Sequence, residues 1–363
     1  MSDDPGSHDI EKVLETFVAG LGDPDEEARS RARDQWNSIA KPIASLGVLE
    51  DLVCDIAALT GTTDVRLDRA VTTVLCADNG VVAQGVSQSG PEVTTAVADN
   101  VARHASSVCK MCEPVDIDVV AVDMGMLTPA HIPGVIDRCI QRGTGDISLG
   151  PAMTREQAVS GIVSGIELVE SLKDRGYQII ATGEMSIGNT TTSSAMTSVL
   201  LGLAPEEVTG RGAGLSSEGL ARKVAAIKRA IAVNEPDPDD AIDVLAKLGG
   251  FDIAGLVGIF IGGAVHRVPI VIDGFISMVA ALTARRIAPK CAPAILASHI
   301  SSEPAVAALV EELGLRPIIH AGMHLGEGTG AACLIPLLRM ALSLYHGTTF
   351  DETGIDAYEV DLA

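Results

Sequence analysis

Four short apolar runs, rich in β-branched residues and each closing on an acidic residue beside a glycine, constrain this chain more than anything else in it. Val71 to Ala77 runs into Asp78-Asn79-Gly80, and Val119 to Val122 into Asp123-Met124-Gly125. Ile179 to Thr182 runs into Gly183-Glu184, and Val268 to Ile272 into Asp273-Gly274. None alternates polar with apolar, the pattern of strands buried on both faces of a parallel sheet. A fifth segment, His320-Ala321-Gly322-Met323-His324-Leu325-Gly326-Glu327-Gly328-Thr329-Gly330, sets one carboxylate among glycines directly after an apolar stretch. Ligands of open parallel sheets lie at the carboxyl ends of the strands. Asp78, Asp123, Glu184, Asp273 and Glu327 are therefore expected to face one crevice.

The rest of the chain supports a parallel sheet. After three helical segments at 9–21, 24–39 and 47–59, the second capped by Asp23 ahead of Pro24, strands and helices alternate. Strands are predicted at 71–77, 118–123, 178–182, 268–273, 293–298 and 316–320. Helices are predicted at 92–111, 154–174, 190–201, 217–232, 238–247, 251–265, 275–286, 303–313 and 330–345. Such alternation means βαβ units and a six-stranded sheet with helices on both faces. Residues 348–363 are acidic and poor in large apolar groups, and a loosely held tail is expected there.

Charge narrows the partners. With 26 Lys plus Arg against 48 Asp plus Glu, the formal charge is −22, which excludes nucleic acid and anionic membrane as main ligands. Aromatic residues are only 2%, so stacking platforms for nucleic acid are missing as well. A small molecule is the expected ligand, and any phosphate it carries must be held by backbone N–H groups, helix N-termini and a few placed cations. The mean hydropathy of +0.31 raises the question of a membrane span. The most apolar stretch, 253–265, stops at His266-Arg267, short of the roughly 20 residues a span needs. Its Gly and Ala content instead fits tight helix packing on a sheet or across a subunit boundary. Seven cysteines without a disulfide spacing, and an N-terminus with no basic or apolar leader, point to a cytoplasmic chain.

Three glycine clusters are candidates for anion binding. Thr182-Gly183-Glu184-Met185-Ser186-Ile187-Gly188-Asn189-Thr190 follows a strand and opens a helix, so first-turn N–H groups would point at a phosphate; a Thr-rich cap reads equally well. Gly210-Arg211-Gly212-Ala213-Gly214 precedes a helix carrying Arg222 and Lys223, either a phosphate partner or a flexible connection. Arg142-Gly143-Thr144-Gly145-Asp146 is the weakest. None is a Walker loop or a dinucleotide fingerprint, and no G-x-S-x-G elbow occurs. Cys109-Lys110-Met111-Cys112 lacks the second pair a structural zinc would require, and no metal or cofactor is expected. His320 and His324 flank the C-terminal glycine loop as possible contacts. Glu327, on local grounds, is either a catalytic base presented to a cavity or a solvated turn capping the next helix.

In this order, the segments resemble the nicotinate-nucleotide:dimethylbenzimidazole phosphoribosyltransferases of cobamide lower-ligand activation. The resemblance runs from about residue 28 to 355. It rests on Lys41-Pro42, Ala77-Asp78-Asn79-Gly80-Val81, Gly85-Val86-Ser87, Glu92-Val93-Thr94, Arg142-Gly143-Thr144, Pro151-Ala152-Met153-Thr154, Gly183-Glu184-Met185, Ile187-Gly188-Asn189-Thr190-Thr191, Gly210-Arg211-Gly212, Asp273-Gly274-Phe275, Ser298-His299 and Leu325-Gly326-Glu327-Gly328-Thr329-Gly330. It implies a three-layer α/β fold with a mostly parallel, Rossmann-like sheet of six strands. It also implies a small helical domain in which residues 1–65 pack with 330–363, a large domain over 66–329, and a homodimer. The implied reaction moves phosphoribose from nicotinate mononucleotide to a base, with free nicotinate leaving. Glu327 and Glu184 are then the catalytic carboxylates. Gly183, Met185, Ser186, Gly188, Asn189, Gly212, Gly214, Lys223 and Asp273 bind the nucleotide, and Asp78, Ser87, Gln88 and Leu325 the base. Two departures stand out: Ser186 replaces a usual glycine, and Gln88-Ser89-Gly90-Pro91 replaces a segment that commonly carries an aromatic and a proline. The rival reading is a non-catalytic nucleotide-binding or partner subunit of the same fold.

Overall fold

A computed structural model describes residues 7–128 and 131–356. Six strands form one parallel sheet in the order β3-β2-β1-β4-β5-β6: β1 (Ala70–Ala77), β2 (Ile117–Gly125), β3 (Ile136–Asp137), β4 (Ile179–Met185), β5 (Ile270–Ile272) and β6 (Ile295–Ala297). The order reverses direction between β1 and β4, whose register runs from Ala70 opposite Ile179 to Cys76 opposite Met185. That switch point opens a crevice at the carboxyl ends.

All of β1 is buried, and its side chains divide between two cores. Val71 and Leu75 join Phe251, Ile259 and Ile162 on one face; Ala70, Val74 and Cys76 join Trp36, Val53 and Leu338 on the other. This is why the strand sequence does not alternate. On the first face helix Phe251–His266 lies against helix Arg155–Asp174 with glycines at the crossing: a Cβ on Gly165 would come within 2.2 Å of the Gly255 carbonyl. The small-residue helix is thus a close-packing device within the chain. Among the described residues no helix is long and apolar enough to cross a membrane.

On the second face helices Glu26–Ser38 and Val48–Thr60 pack with helix Thr329–Tyr345, where the Trp36 and Tyr345 rings meet edge-on at 4.9 Å. The first helix, Ser7–Ala19, lies on the opposite face, with Leu14 in the core beside helix Arg155–Asp174.

Several sequence expectations change. The cap of the second helix is Asp25, which accepts the Ala28 N–H at 2.9 Å, and not Asp23. No strand forms at 316–320; Ile319 makes a single parallel bridge to His299, and the sixth strand is the two-residue β3, too short for periodicity to reveal. Residues 348–353 are held, through the Ile39–Thr349 bridge and a buried Phe350, whereas 357–363 lie outside the described residues. The helix expected over 92–111 is two, Glu92–Ala102 and Ser107–Cys112. His104 turns left-handed (φ 55°), and Ser106 caps the second helix by accepting the Cys109 N–H. That break bears on the site, because it frees the first-turn N–H groups of Ser107–Cys112.

Candidate active site

A cleft of about 400 Å³ lies at the carboxyl ends of β4, β5 and β6. Of the five carboxylates expected to converge, Glu184, Asp273 and Glu327 line it. Asp78 and Asp123 do not. Asp123 accepts the N–H groups of Gly125 and Met126 and pairs with Arg142 at 2.6 Å, and Asp78 accepts the Leu127 N–H at 2.8 Å. Both hold the turn after β2. The 142–146 cluster belongs to the same brace, with Thr144 Oγ1 accepting the Gly80 N–H.

Glu327 stands in a left-handed turn: Gly326, Glu327 and Gly328 have φ of 88°, 60° and 87°. A non-glycine residue held there carries a cost of about 1–2 kcal/mol. The turn crosses β4 so closely that a Cβ on Gly183 would lie 2.6 Å from the Glu327 carbonyl oxygen. Asp273, at the end of β5, anchors the turn from below. Its Oδ1 accepts the N–H groups of Gly330 and Ala331 at 2.8 and 3.0 Å, and its Oδ2 that of Gly328 at 3.2 Å. Asp273 therefore lines the cleft with its acceptors already committed to the start of helix Thr329–Tyr345. From the first turn of helix Ser107–Cys112, behind the cleft lining, the Val108 N–H donates to Glu327 Oε2 at 3.2 Å. Burial raises the Glu327 carboxyl above its ordinary range, the Val108 N–H opposes that shift, and the nearby Asp273 charge adds to it. A carboxylate so placed binds a proton more readily than an exposed one.

Glu184 enters the cleft from the end of β4 and accepts from Asn189 Nδ2. Burial, with the charge of Asp252 next, lifts its carboxyl to about 8, so it carries its proton at neutral pH. Met185, Ser186, Asn189 and Thr190 continue the wall into helix Asn189–Leu201. Ser186 is buried and accepts from Asn79 Nδ2 at 2.8 Å, so its hydroxyl ties β1's end to β4's end. Gly188 (φ 96°) caps that helix from outside the cleft.

Gly212 and Ala213 face the cleft, whereas Gly214, Ser87 and Gln88 do not. Gln88 donates to the Gly214 carbonyl, and Ser87 Oγ accepts the Ser89 N–H. Ser89, one residue on, lines the cleft with Val93, Val97 and an exposed Leu325. Lys223 is fully buried behind this wall, donating to Thr190 Oγ1 at 2.8 Å and the Gly210 carbonyl at 3.1 Å, and burial brings its pKa down to about 8. It ties the two glycine segments together. His324 lines the cleft edge; His320 is exposed outside it.

The sequence reasoning missed Asp252 and left His299 without a role. Asp252 sits in the first turn of helix Phe251–His266, where an acidic residue reads as ordinary helix-end chemistry. His299 lines the cleft beside Gly330. Cys109 and Cys112 are buried; Ser106 Oγ donates to Cys109, and burial pushes Cys112 up to about 11, which keeps the Cys112 thiol protonated. Among the described residues no group of three or more His, Cys, Asp or Glu is arranged to hold a metal ion.

Residues 21–355 match the sequence pattern of a phosphoribosyltransferase family. The nicotinate-nucleotide–dimethylbenzimidazole phosphoribosyltransferase of Acetivibrio thermocellus is 43% identical over 348 residues, 96% of this chain and 99% of that enzyme. This chain belongs to that phosphoribosyltransferase family. The enzyme of the same name from Ruminiclostridium cellulolyticum is 44% identical over 348 residues, again 96% of this chain and 99% of the relative. Among solved structures, CobT from Thermus thermophilus superposes with a TM-score of 0.86 at 37% identity, covering 92% of this chain and 100% of that one. Both the sheet and its flanking helices are thus those of the family.

Proposed function

We propose that this chain transfers phosphoribose from nicotinate mononucleotide to dimethylbenzimidazole or a related lower-ligand base, releasing nicotinate and an α-riboside phosphate. The observation that carries the reading is Glu327 itself, held in a left-handed turn beside a neutral Glu184 in the cleft of a family member.

One ring nitrogen of the base attacks C1′ from the face opposite nicotinate, and the C1′–N bond breaks with its electron pair passing to the pyridinium nitrogen. The ring leaves neutral, so no acid is needed. The other ring nitrogen loses its proton to Glu327, a base whose raised pKa matches the task. Inversion at C1′ turns a β-nucleotide into an α-riboside. The first turn of helix Asn189–Leu201 and the Gly212–Ala213 backbone hold the phosphate, with the Lys223 charge behind them. Neutral Glu184 removes one negative charge from the path of an anionic donor and offers it a hydrogen bond. Alignment of the two reactants supplies much of the acceleration. Val93, Val97 and Leu325 form the apolar side of the base pocket, and Ser89 a polar rim.

Of the small helical unit expected from residues 1–65 and 330–363, the Trp36–Tyr345 contact supports helices Glu26–Ser38, Val48–Thr60 and Thr329–Tyr345, whereas helix Ser7–Ala19 packs with the large domain, 66–329. A homodimer is supported by Met340 and Leu344, apolar and exposed one turn apart on helix Thr329–Tyr345. Seven unpaired thiols fit a cytoplasmic setting. No observation favours a catalytically silent subunit.

The test is incubation of purified protein with nicotinate mononucleotide and dimethylbenzimidazole, benzimidazole, adenine or a phenol, with products identified by mass spectrometry. A ribosylated base with release of nicotinate is expected. Bound nucleotide with no product from any base would overturn the proposal.

A further inference from the structure

The Asn189 carboxamide stands between two buried acids. Its Nδ2 donates to Glu184 Oε2 and, at 3.0 Å, to Asp252 Oδ2. An amide nitrogen carries two protons, so both are committed. Rotating the amide by half a turn would set its oxygen against the Asp252 carboxylate, which locks the orientation. Asp252 is wholly buried, lies outside the cleft, and comes from helix Phe251–His266, an element otherwise devoted to packing. A buried acid in an apolar helix is costly unless its partners use it. Here its partner is the residue that grips Glu184.

We propose that Asp252 is a positioning residue of this active site, fixing the Asn189 amide so that the Glu184 carboxyl is held toward the cleft. The inference rests on the transferase reading for its kinetic arm only.

Glu184 is faced by Asn189 and Asp252, by Asp273 from the end of β5, and by Glu327 from the glycine turn; Asp252 is faced by Asn189, by Ser186 and by the N–H groups of its own helix. Of the charged neighbours, Asp252 raises the Glu184 carboxyl most, burial being the larger cause, and Asp252 itself is lifted to about 6. At neutral pH Asp252 therefore bears charge while Glu184 does not. The amide couples place and charge: it sets where Glu184 stands, and the charge behind it keeps Glu184 protonated.

Two variants separate these effects. In Asp252→Asn the oxygen that accepts from Asn189 is kept and the charge is lost; in Asp252→Ala both are lost. The measurements are kcat and KM for nicotinate mononucleotide across pH, together with the carboxyl 13C titration of Glu184, assigned with Glu184→Gln. For Asp252→Asn, the alkaline limb of kcat and the Glu184 titration are both expected to move down by about one pH unit, with KM within about twofold of the parent. For Asp252→Ala, kcat is expected to fall about tenfold further, because the amide is released. Parental kcat in Asp252→Ala, or a Glu184 titration unshifted in both variants, would overturn the proposal. Absence of turnover in the parent protein would sink the transferase reading instead, and the 13C titration would still decide the role of Asp252.

Discussion

The Asp273 carboxylate accepts the Gly330 N–H at 2.8 Å, and this contact fixes the height at which Glu327 stands above the sheet. Asp273 also takes the N–H groups of Ala331 and Gly328, so three donors at the start of one helix depend on a single side chain. Asp273→Ala leaves them buried and unmet. We expect a stability loss of about 2–3 kcal/mol in urea unfolding. Activity should fall by about 100-fold, since a displacement near 1 Å at a catalytic group costs that much. Asp273→Asn, which keeps one acceptor, should lie between.

Glu327 can be removed in two ways that separate chemistry from backbone. Glu327→Gln keeps the shape and loses the base, and turnover should drop about 100-fold or more with nicotinate mononucleotide still bound. Glu327→Gly should be as inactive with little net change in stability, because relief of the left-handed backbone at φ of 60° is offset by the Val108 N–H left without its acceptor. Paired turnover and thermal unfolding measurements check both, and unaltered turnover in Glu327→Gln would remove Glu327 from the mechanism.

The first five strands expected from sequence all form in part, because strands buried on both faces write themselves as continuous apolar runs. The site was legible only where backbone and side chain act together. Glycines beside Glu184 and Glu327 marked them as close to a ligand, and both line the cleft. Asp78 and Asp123 carry the same local pattern, yet their carboxylates are spent on turn N–H groups and Arg142. Nothing within a strand's own sequence distinguishes an acid that braces a loop from one that faces substrate. Asp252 and the break at His104 were hidden for the opposite reason: their partners, Asn189 and Glu327, lie far along the chain.

Stability should carry the mark of Glu184 as pH changes. Its pKa of about 8 lies above the ordinary 4.5, so the folded state binds this proton more tightly than the unfolded chain. The corresponding stability is fully present below about pH 4.5 and is lost as pH rises toward 8. Glu184→Gln, which can still accept from Asn189, removes that loss. The variant should gain on the parent by up to about 1.4 kcal/mol per pH unit across that window. Urea unfolding at intervals between pH 5 and 8 measures it, and parallel pH curves for the two proteins would count against a neutral Glu184.

Gly183 is the point at which the sheet and the turn at 326–328 touch. It lies inside β4, where alanine would ordinarily be preferred to glycine, and it is buried. A Cβ there would meet the Glu327 carbonyl oxygen at 2.6 Å and the Gly328 nitrogen at 2.7 Å, both backbone atoms that no rotamer change can move. Gly183→Ala must therefore lift the turn or push β4 back. Because β4 is bonded to β1 and β5 on both sides, the turn is the part that yields. We expect about 1–3 kcal/mol of destabilisation from overpacking. The loss in kcat, about 100-fold, should be out of proportion to that, since the carboxylate moves with its backbone. Gly150→Ala is the control, at a position with no atom within 4 Å and no left-handed backbone, and it should leave both quantities unchanged. Gly183→Ala with parental kcat would mean that the position of Glu327 does not limit the reaction.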